Sequence, residues 1–234
     1  MTFTDQTVVV TGATGNLGRA VAQTFADGGA DLVLVGQHQE TLADRFGSED
    51  DRRLFVAADL RDPDQAASVA RRAIDRFGRI DVLCNVAGGF RMGEPVHETS
   101  DRTWQFLFDL NARSLLHMAR AVVPRMLERG GGKIVNVGAF AAGRGSANMG
   151  AYSASKAVVV RLTEAMAAEL RERNINVNCV LPTTLDTPEN RAAMPDADPA
   201  RWVAPQDLAR IIEFLASPAA RAIHGASIPV TGLS

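Results

Sequence analysis

Seven short aliphatic runs, most of them separated by helix-length stretches, constrain this chain more than any other feature. They are "TVVVTG", "ADLVLVG", "RLFVAADL", "IDVLCNVAG", "KIVNVGA", "INVNCVLP" and "GASIPVTG", in that order along 234 residues. Their apolar residues are nearly continuous, which predicts strands buried on both faces. The intervening stretches carry helical periodicity. "NLGRAVAQTFADGG" closes on glycines, and in "DPDQAASVARRAIDRFG" Asp62–Pro63 opens the helix and Gly78 closes it. "TWQFLFDLNARSLLHMARAVVPRMLERGGG", "YSASKAVVVRLTEAMAAELRERN" and "PQDLARIIEFLAS" continue the alternation. Buried strands joined by helices form a parallel sheet covered on both sides. The expected fold class is α/β, a doubly wound seven-stranded parallel sheet with helices on both faces. No repeat or linker interrupts it, so residues 1–234 are read as one domain. One proline-rich stretch, between the sixth strand and the last helix, is read as a substrate loop at 183–205; the alternative is a plain surface connection.

Composition excludes several classes. The net charge is −2 and no basic block stands out, so nucleic acid is not expected as a partner. No apolar run reaches the roughly 20 residues of a membrane span. The start, "MTFTDQTVVV", has Asp5 and no basic-then-apolar leader, which predicts a cytoplasmic protein. Cys84 and Cys179 lie in strand-like runs and are read as buried free thiols. Four scattered histidines and two distant cysteines show no metal-ligand spacing.

Two motifs carry chemistry. In "VVVTGATGNLGRAV", Gly12, Gly15 and Gly18 follow the first strand and open the first helix. Glycines there let the backbone turn tightly and approach a pyrophosphate lying at a helix N-terminus, which makes this a Rossmann-like dinucleotide site. In "AYSASK", Tyr152 is the sole tyrosine and Lys156 one of two lysines. Residues four apart share a helix face. An ammonium beside a phenol favours phenolate and lowers a pKa of about 10. A helix surface that happens to carry both residues is the bland reading.

These features, in this order, resemble the short-chain dehydrogenase/reductase family over essentially the whole chain. The matches are "TGATGNLG" (11–18), "ADL" (58–60), "NVAG" (85–88), Asn111, "IVNVGA" (134–139), the Tyr152/Lys156 pair and "LPTTLDT" (181–187). The resemblance implies NAD(P)-dependent hydride transfer at a carbonyl or alcohol carbon. It makes Tyr152 the acid/base, has Lys156 lower its pKa and bond the nicotinamide ribose, and has Asn111 hold a water linking Lys156 to solvent. The glycine loop, with Thr14, Asn16 and Leu17, would take the pyrophosphate. Asp59 and Leu60 would flank the adenine. Asn85, Ala87 and Gly88 would line the ribose and nicotinamide side, and Pro182, Leu185 and Thr187 the nicotinamide end. Without the resemblance, Asn111 is a polar helix residue, Asp59 a cap or turn residue, and Asn85 turn chemistry before Ala–Gly.

The chain departs from the family pattern at four places. The main branch would have glycine at position 16; here Asn16 follows Gly15, the spacing of the extended branch. "NNAG" is "NVAG", and "PG" is Pro182–Thr183. The position of the catalytic serine, thirteen residues before Tyr152, holds Ala139. Losing such a donor typically lowers the rate about 10²–10³-fold. Ser146, in the glycine-rich loop that follows, is a candidate substitute.

The second strand ends in Gly36, Gln37 and His38, with no acid for an NAD ribose and no arginine for a 2′-phosphate. Gln37 and His38 can donate to a phosphate, so NADP(H) is favoured over NAD(H); ordinary loop roles are the alternative. The leading expectation is an oxidoreductase of a small carbonyl or alcohol. A cofactor-binding sensor or partner subunit with impaired chemistry, and a non-redox dehydratase or epimerase, are the alternatives. Met194 and Trp202 are candidates for the substrate wall, with core packing or a crystal contact as the alternative. Apolar residues on more than one side of the helix after Tyr152 (Val158, Val159, Val160, Leu162, Met166, Leu170) predict a homo-oligomer, a tetramer by resemblance or else a dimer.

Overall fold

The computed structural model describes residues 1–233. The seven runs are β1 (Thr7–Thr11), β2 (Asp31–Gly36), β3 (Arg53–Ala57), β4 (Val82–Asn85), β5 (Gly132–Val137), β6 (Ile175–Pro182) and β7 (Ser227–Val230). They form one parallel sheet in the order β3-β2-β1-β4-β5-β6-β7. Its helices are α1 (Asn16–Asp27), α2 (Gln39–Phe46), α3 (Pro63–Phe77), α4 (Asp101–Phe108), α5 (Ser114–Arg129), α6 (Gly150–Leu170), α7 (Pro188–Ala193) and α8 (Pro205–Ala216).

Side chains alternate between two buried faces, which is why the strands read as unbroken apolar runs. Val8 and Val10 pack with Phe25 of α1 and Ile212 of α8. Val9 points the other way, into the cluster holding Val69 of α3 and Met118 of α5. α3 starts as its sequence predicts: the Asp62 carboxylate accepts from the amides of Asp64 (2.8 Å) and Gln65 (3.3 Å), and Pro63 fills the first turn. It ends at Gly78, in the left-handed region at φ 71°.

Three elements differ from the sequence reading. α2 was not expected; it is a short helix with one buried side chain, Leu42, so its apolar periodicity is faint. The long helical stretch after residue 103 is two helices, joined by a π-helical turn at Asp109–Arg113. α7 lies inside the proline-rich loop, capped by Thr187, whose hydroxyl accepts from the Asn190 amide at 3.2 Å. Among the described residues, no helix is long and apolar enough to cross a membrane.

The strand order reverses between β1 and β4, and ligands of open α/β sheets bind outside the strand ends at such a switch point. The side chain of Thr11 fastens the two strand ends there. Its hydroxyl accepts from the amides of Val86 (3.0 Å) and Ala87 (3.1 Å) and donates to the Cys84 carbonyl (3.4 Å).

Candidate active site

A cleft of about 1080 Å³ opens at that switch point. Its floor is the loop from β1 into α1. Gly12 sits at φ +63°, and a Cβ there would lie 2.8 Å from the Ala87 Cα. A Cβ on Gly18 would lie 2.1 Å from the Gly12 carbonyl oxygen. Both positions therefore exclude side chains, and the backbone is bare where an anion would approach. Gly15 is the N-cap of α1 and offers no capping side chain, and no acidic residue stands in the first turn. The helix N-terminus, with its unpaired amides and partial positive charge, is thus open to a phosphate. A nicotinamide dinucleotide fits this cradle.

The structure brings most of the sequence-predicted residues to one surface. Gly12, Thr14, Gly15, Asn16, Leu17, Gly18, Gln37, His38, Asp59, Leu60, Ala87, Gly88, Tyr152, Lys156, Pro182, Leu185 and Thr187 all line the cleft. Asn85 and Asn111 do not line it. Asn85 is buried, and its amide donates to Asn136 Oδ1 across β4 and β5 at 2.9 Å. Asn136 in turn donates to Thr163 Oγ1 on α6 at 2.8 Å. This buried chain fixes α6, and with it Tyr152 and Lys156, against the sheet. Asn111 is held in the π-helical turn. Its Oδ1 accepts from the Gly89 amide (2.8 Å), and its Nδ2 donates to the Gly89 carbonyl (3.0 Å) and to Ser155 Oγ (3.0 Å). Ser155 Oγ donates to the Tyr152 carbonyl at 2.8 Å. The side chain of Asn111, the residue to which the resemblance assigns a water, is bonded to these partners. These bonds tie it to the Gly89 backbone and, through Ser155, to the first turn of α6.

Lys156 is buried, and its ammonium donates to the Val137 carbonyl at 3.0 Å. Burial pulls its pKa from 10.5 down to about 8. Burial also pushes the Tyr152 phenol up to about 12, the opposite of the lowering expected from spacing alone. Desolvation alone sets the shift: the ammonium is directed at Val137, and Phe90 covers the phenol edge-on, with ring centroids 4.8 Å apart. Cys179, beside Lys156 in the buried layer, is likewise lifted, to about 11.

Ala139 lines the cleft and is buried, with no polar atom to offer from its side chain. Ser146 lines the same cleft, and its hydroxyl makes no hydrogen bond among the described residues. Asp59 lines the cleft, and its carboxylate forks with the Arg61 guanidinium (2.7 Å), which lowers its pKa. Of the two candidate wall residues in the loop, Met194 lines the cleft. Trp202 is not among the lining residues.

Two contacts were not foreseen. Thr11, which fastens the Ala87 wall, lies inside a quoted motif but had no assigned role. Asn16 reaches 173 positions along the chain to donate to Glu189 Oε2 of α7 at 2.7 Å. Glycine, the residue expected at position 16, cannot make that contact.

The family model described as short chain dehydrogenase matches residues 6–198. The 2-dehydro-3-deoxy-D-gluconate 5-dehydrogenase of Dickeya dadantii (strain 3937) is 32% identical over 237 residues, covering 96% of this chain and 93% of that protein. The cis-4-hydroxycyclohexanecarboxylate dehydrogenase of Sinomonas cyclohexanicum is 33% identical over 240 residues, covering 98% and 96%. The solved 3-ketoacyl-(acyl-carrier-protein) reductase of Brucella melitensis, complexed with NADH, matches with a TM-score of 0.88 at 29% identity, covering 98% of each chain. With the glycine cradle at the switch point and the Tyr152/Lys156 pair facing it, the chain belongs to the short-chain dehydrogenase family of nicotinamide-dependent oxidoreductases.

Proposed function

We propose that the protein reduces a small carbonyl compound, or oxidises the matching alcohol, with Tyr152 as the acid/base and NADP(H) preferred over NAD(H). The observation that carries this is the placement of Tyr152, Lys156 and the bare glycine cradle on one cleft. The bound nicotinamide supplies the two-electron reductant. The chain's own groups do the rest. Backbone amides at the start of α1 hold the pyrophosphate. Tyr152 gives its proton to the oxygen of the reduced carbonyl. Lys156, a cation below about pH 8, stabilises the negative charge left on the phenol. Asn111 is a positioning residue for the Gly88–Gly89 wall. Ser146 is the hydroxyl that stands in for the serine absent at Ala139, and the loop 183–205 closes over the substrate.

The cofactor preference rests on the end of β2. Gly36, Gln37 and His38 offer no carboxylate to repel a 2′-phosphate, and Gln37 and His38 are exposed donors at the cleft edge. Tighter binding of NADH than of NADPH would overturn it. Val158, Leu162 and Met166 remain half-buried in a stripe along α6, which supports a homo-oligomer, a tetramer or dimer built on that face. A monomer mass in light scattering at micromolar concentration rejects it.

Ala139 favours a second reading, a cofactor-binding protein with impaired chemistry. A panel of small ketones and aldehydes separates the two, read by NADPH oxidation. Turnover that is lost in Tyr152→Phe, with cofactor affinity within about twofold, supports the enzyme, since Phe keeps the ring and removes only the hydroxyl proton. Cofactor binding with no turnover across the panel supports the second reading.

A further inference from the structure

The substrate end of the cleft is apolar and carries one free charge. Phe90 (55% exposed), Met92 (58%), Phe140 (42%) and Met194 (38%) all line it. Large apolar side chains gathered at one mouth mark a surface built to cover something apolar. From Val86 round to Met194, the lining contains two charged residues, Lys156 and Arg144, and no carboxylate. The Lys156 ammonium is buried and bonded to Val137. Arg144 is exposed and makes no hydrogen bond or ion pair among the described residues. Carboxylates on flanking elements are already committed: Glu94 to Ser100 and Thr103, Asp186 to Arg191, and Glu189 to Asn16. Among the described residues, nothing therefore neutralises Arg144.

Resting on the reductase reading above, we propose that the substrate is an oxo or hydroxy acid with an apolar body, and that Arg144 binds its carboxylate while its carbonyl faces Tyr152. A guanidinium matches a carboxylate with two parallel hydrogen bonds. A phosphate would require several donors; Phe140 and Ala141 beside Arg144 in the lining bring none, and the one nearby hydroxyl, Ser146, is assigned above to the carbonyl. The apolar rim covers the carbon skeleton between the two polar ends. Arg144 is thus a specificity residue, acting on binding of the acid and not on the proton transfer.

The test uses the full chain loaded with NADPH and matched probes, 4-oxocyclohexanecarboxylate and 5-oxohexanoate, each against its methyl ester. The native protein should prefer each acid to its ester. Arg144→Gln should lower the acid-to-ester ratio of kcat/KM about 10- to 100-fold, mainly through KM, because one charge-assisted pair is lost. Arg144→Lys should restore part of that ratio. The side chain is exposed, so both variants should fold, and unchanged circular dichroism checks this. An acid no better than its ester, or a ratio equal in native and Arg144→Gln, overturns the proposal, while reduction of the esters leaves the reductase reading standing. If no probe is reduced, the reductase reading is what fails, and binding decides this one. Cyclohexanecarboxylate, titrated calorimetrically into cofactor-loaded protein, should bind the native chain and lose about tenfold in affinity with Arg144→Gln. No binding, or equal binding to both, overturns it.

Discussion

Replacing Lys156 by methionine tests the electrostatics of the site directly, through stability against pH. Lys156 is only 5% exposed. Burial pulls its pKa from 10.5, the value of the unfolded chain, to about 8. Below pH 8 both states hold the proton, and the folded state carries the full penalty of a buried charge. Between about 8 and 10.5 only the unfolded chain holds it, so stability rises with pH. Above 10.5 neither does, and the penalty is gone. The gap of roughly 2.5 pH units, at about 1.4 kcal/mol each, amounts to about 3 kcal/mol. About 2.5 kcal/mol of it should return between pH 7 and pH 10. Methionine keeps the apolar stem and has no proton to lose, so its curve lacks this rise. Cys179 titrates in the opposite sense above pH 9.0, because the folded state holds its proton up to about pH 11. The difference between native and variant is therefore the quantity to read. Urea unfolding followed by tryptophan fluorescence at pH 7, 8, 9 and 10 supplies it. Native and variant curves that stay parallel to within about 0.5 kcal/mol would refute the reasoning, by showing that Lys156 is hydrated in solution.

Three further outcomes follow from the same geometry. Gly18→Ala places a carbon 2.1 Å from the Gly12 carbonyl; it should destabilise the fold by about 1–3 kcal/mol, measured by urea unfolding, and weaken cofactor binding at least tenfold by displacing the cradle. Ala139→Ser should raise kcat/KM on a simple ketone, by up to about 10²–10³ if the new hydroxyl reaches the carbonyl oxygen. If the native rate is already ordinary and Ala139→Ser leaves it unchanged, Ser146→Ala should lose that factor instead; a loss from neither sinks the assignment of Ser146.

The sheet and the cofactor cradle were legible because their signals are local. Unbroken aliphatic runs imply burial on both faces, and the structure shows Val8 and Val10 on one face and Val9 on the other. Gly12 and Gly18 stood out because only glycine fits a backbone crowded to 2.8 and 2.1 Å. What stayed hidden depends on distant residues. The sequence places Asn85 two residues before Ala–Gly but cannot show that Asn136, 51 positions later, takes its amide. Asn16 reads as a missing glycine until Glu189 is seen opposite it. α2 escaped notice because a helix with one buried leucine has almost no apolar period to read.

The direction of the Tyr152 shift belongs to that hidden part, and it bears on which protonation state the site presents. Spacing alone puts a cation four residues away and predicts a more acidic phenol. Solvent exclusion reverses this, through a wall assembled from β5, the loop after β4 and α6. A phenol at about 12 holds its proton throughout the neutral range. It is ready to protonate an alkoxide as it stands. To act as a base on an alcohol it must first lose that proton, which at pH 7 requires about 7 kcal/mol against about 4 kcal/mol for a phenol of pKa about 10. On the reductase reading proposed above, the protonated phenol is the form that carbonyl reduction uses near neutrality. Alcohol oxidation should gain with rising pH, up to the point near 8 where Lys156 loses the charge that stabilises the phenolate.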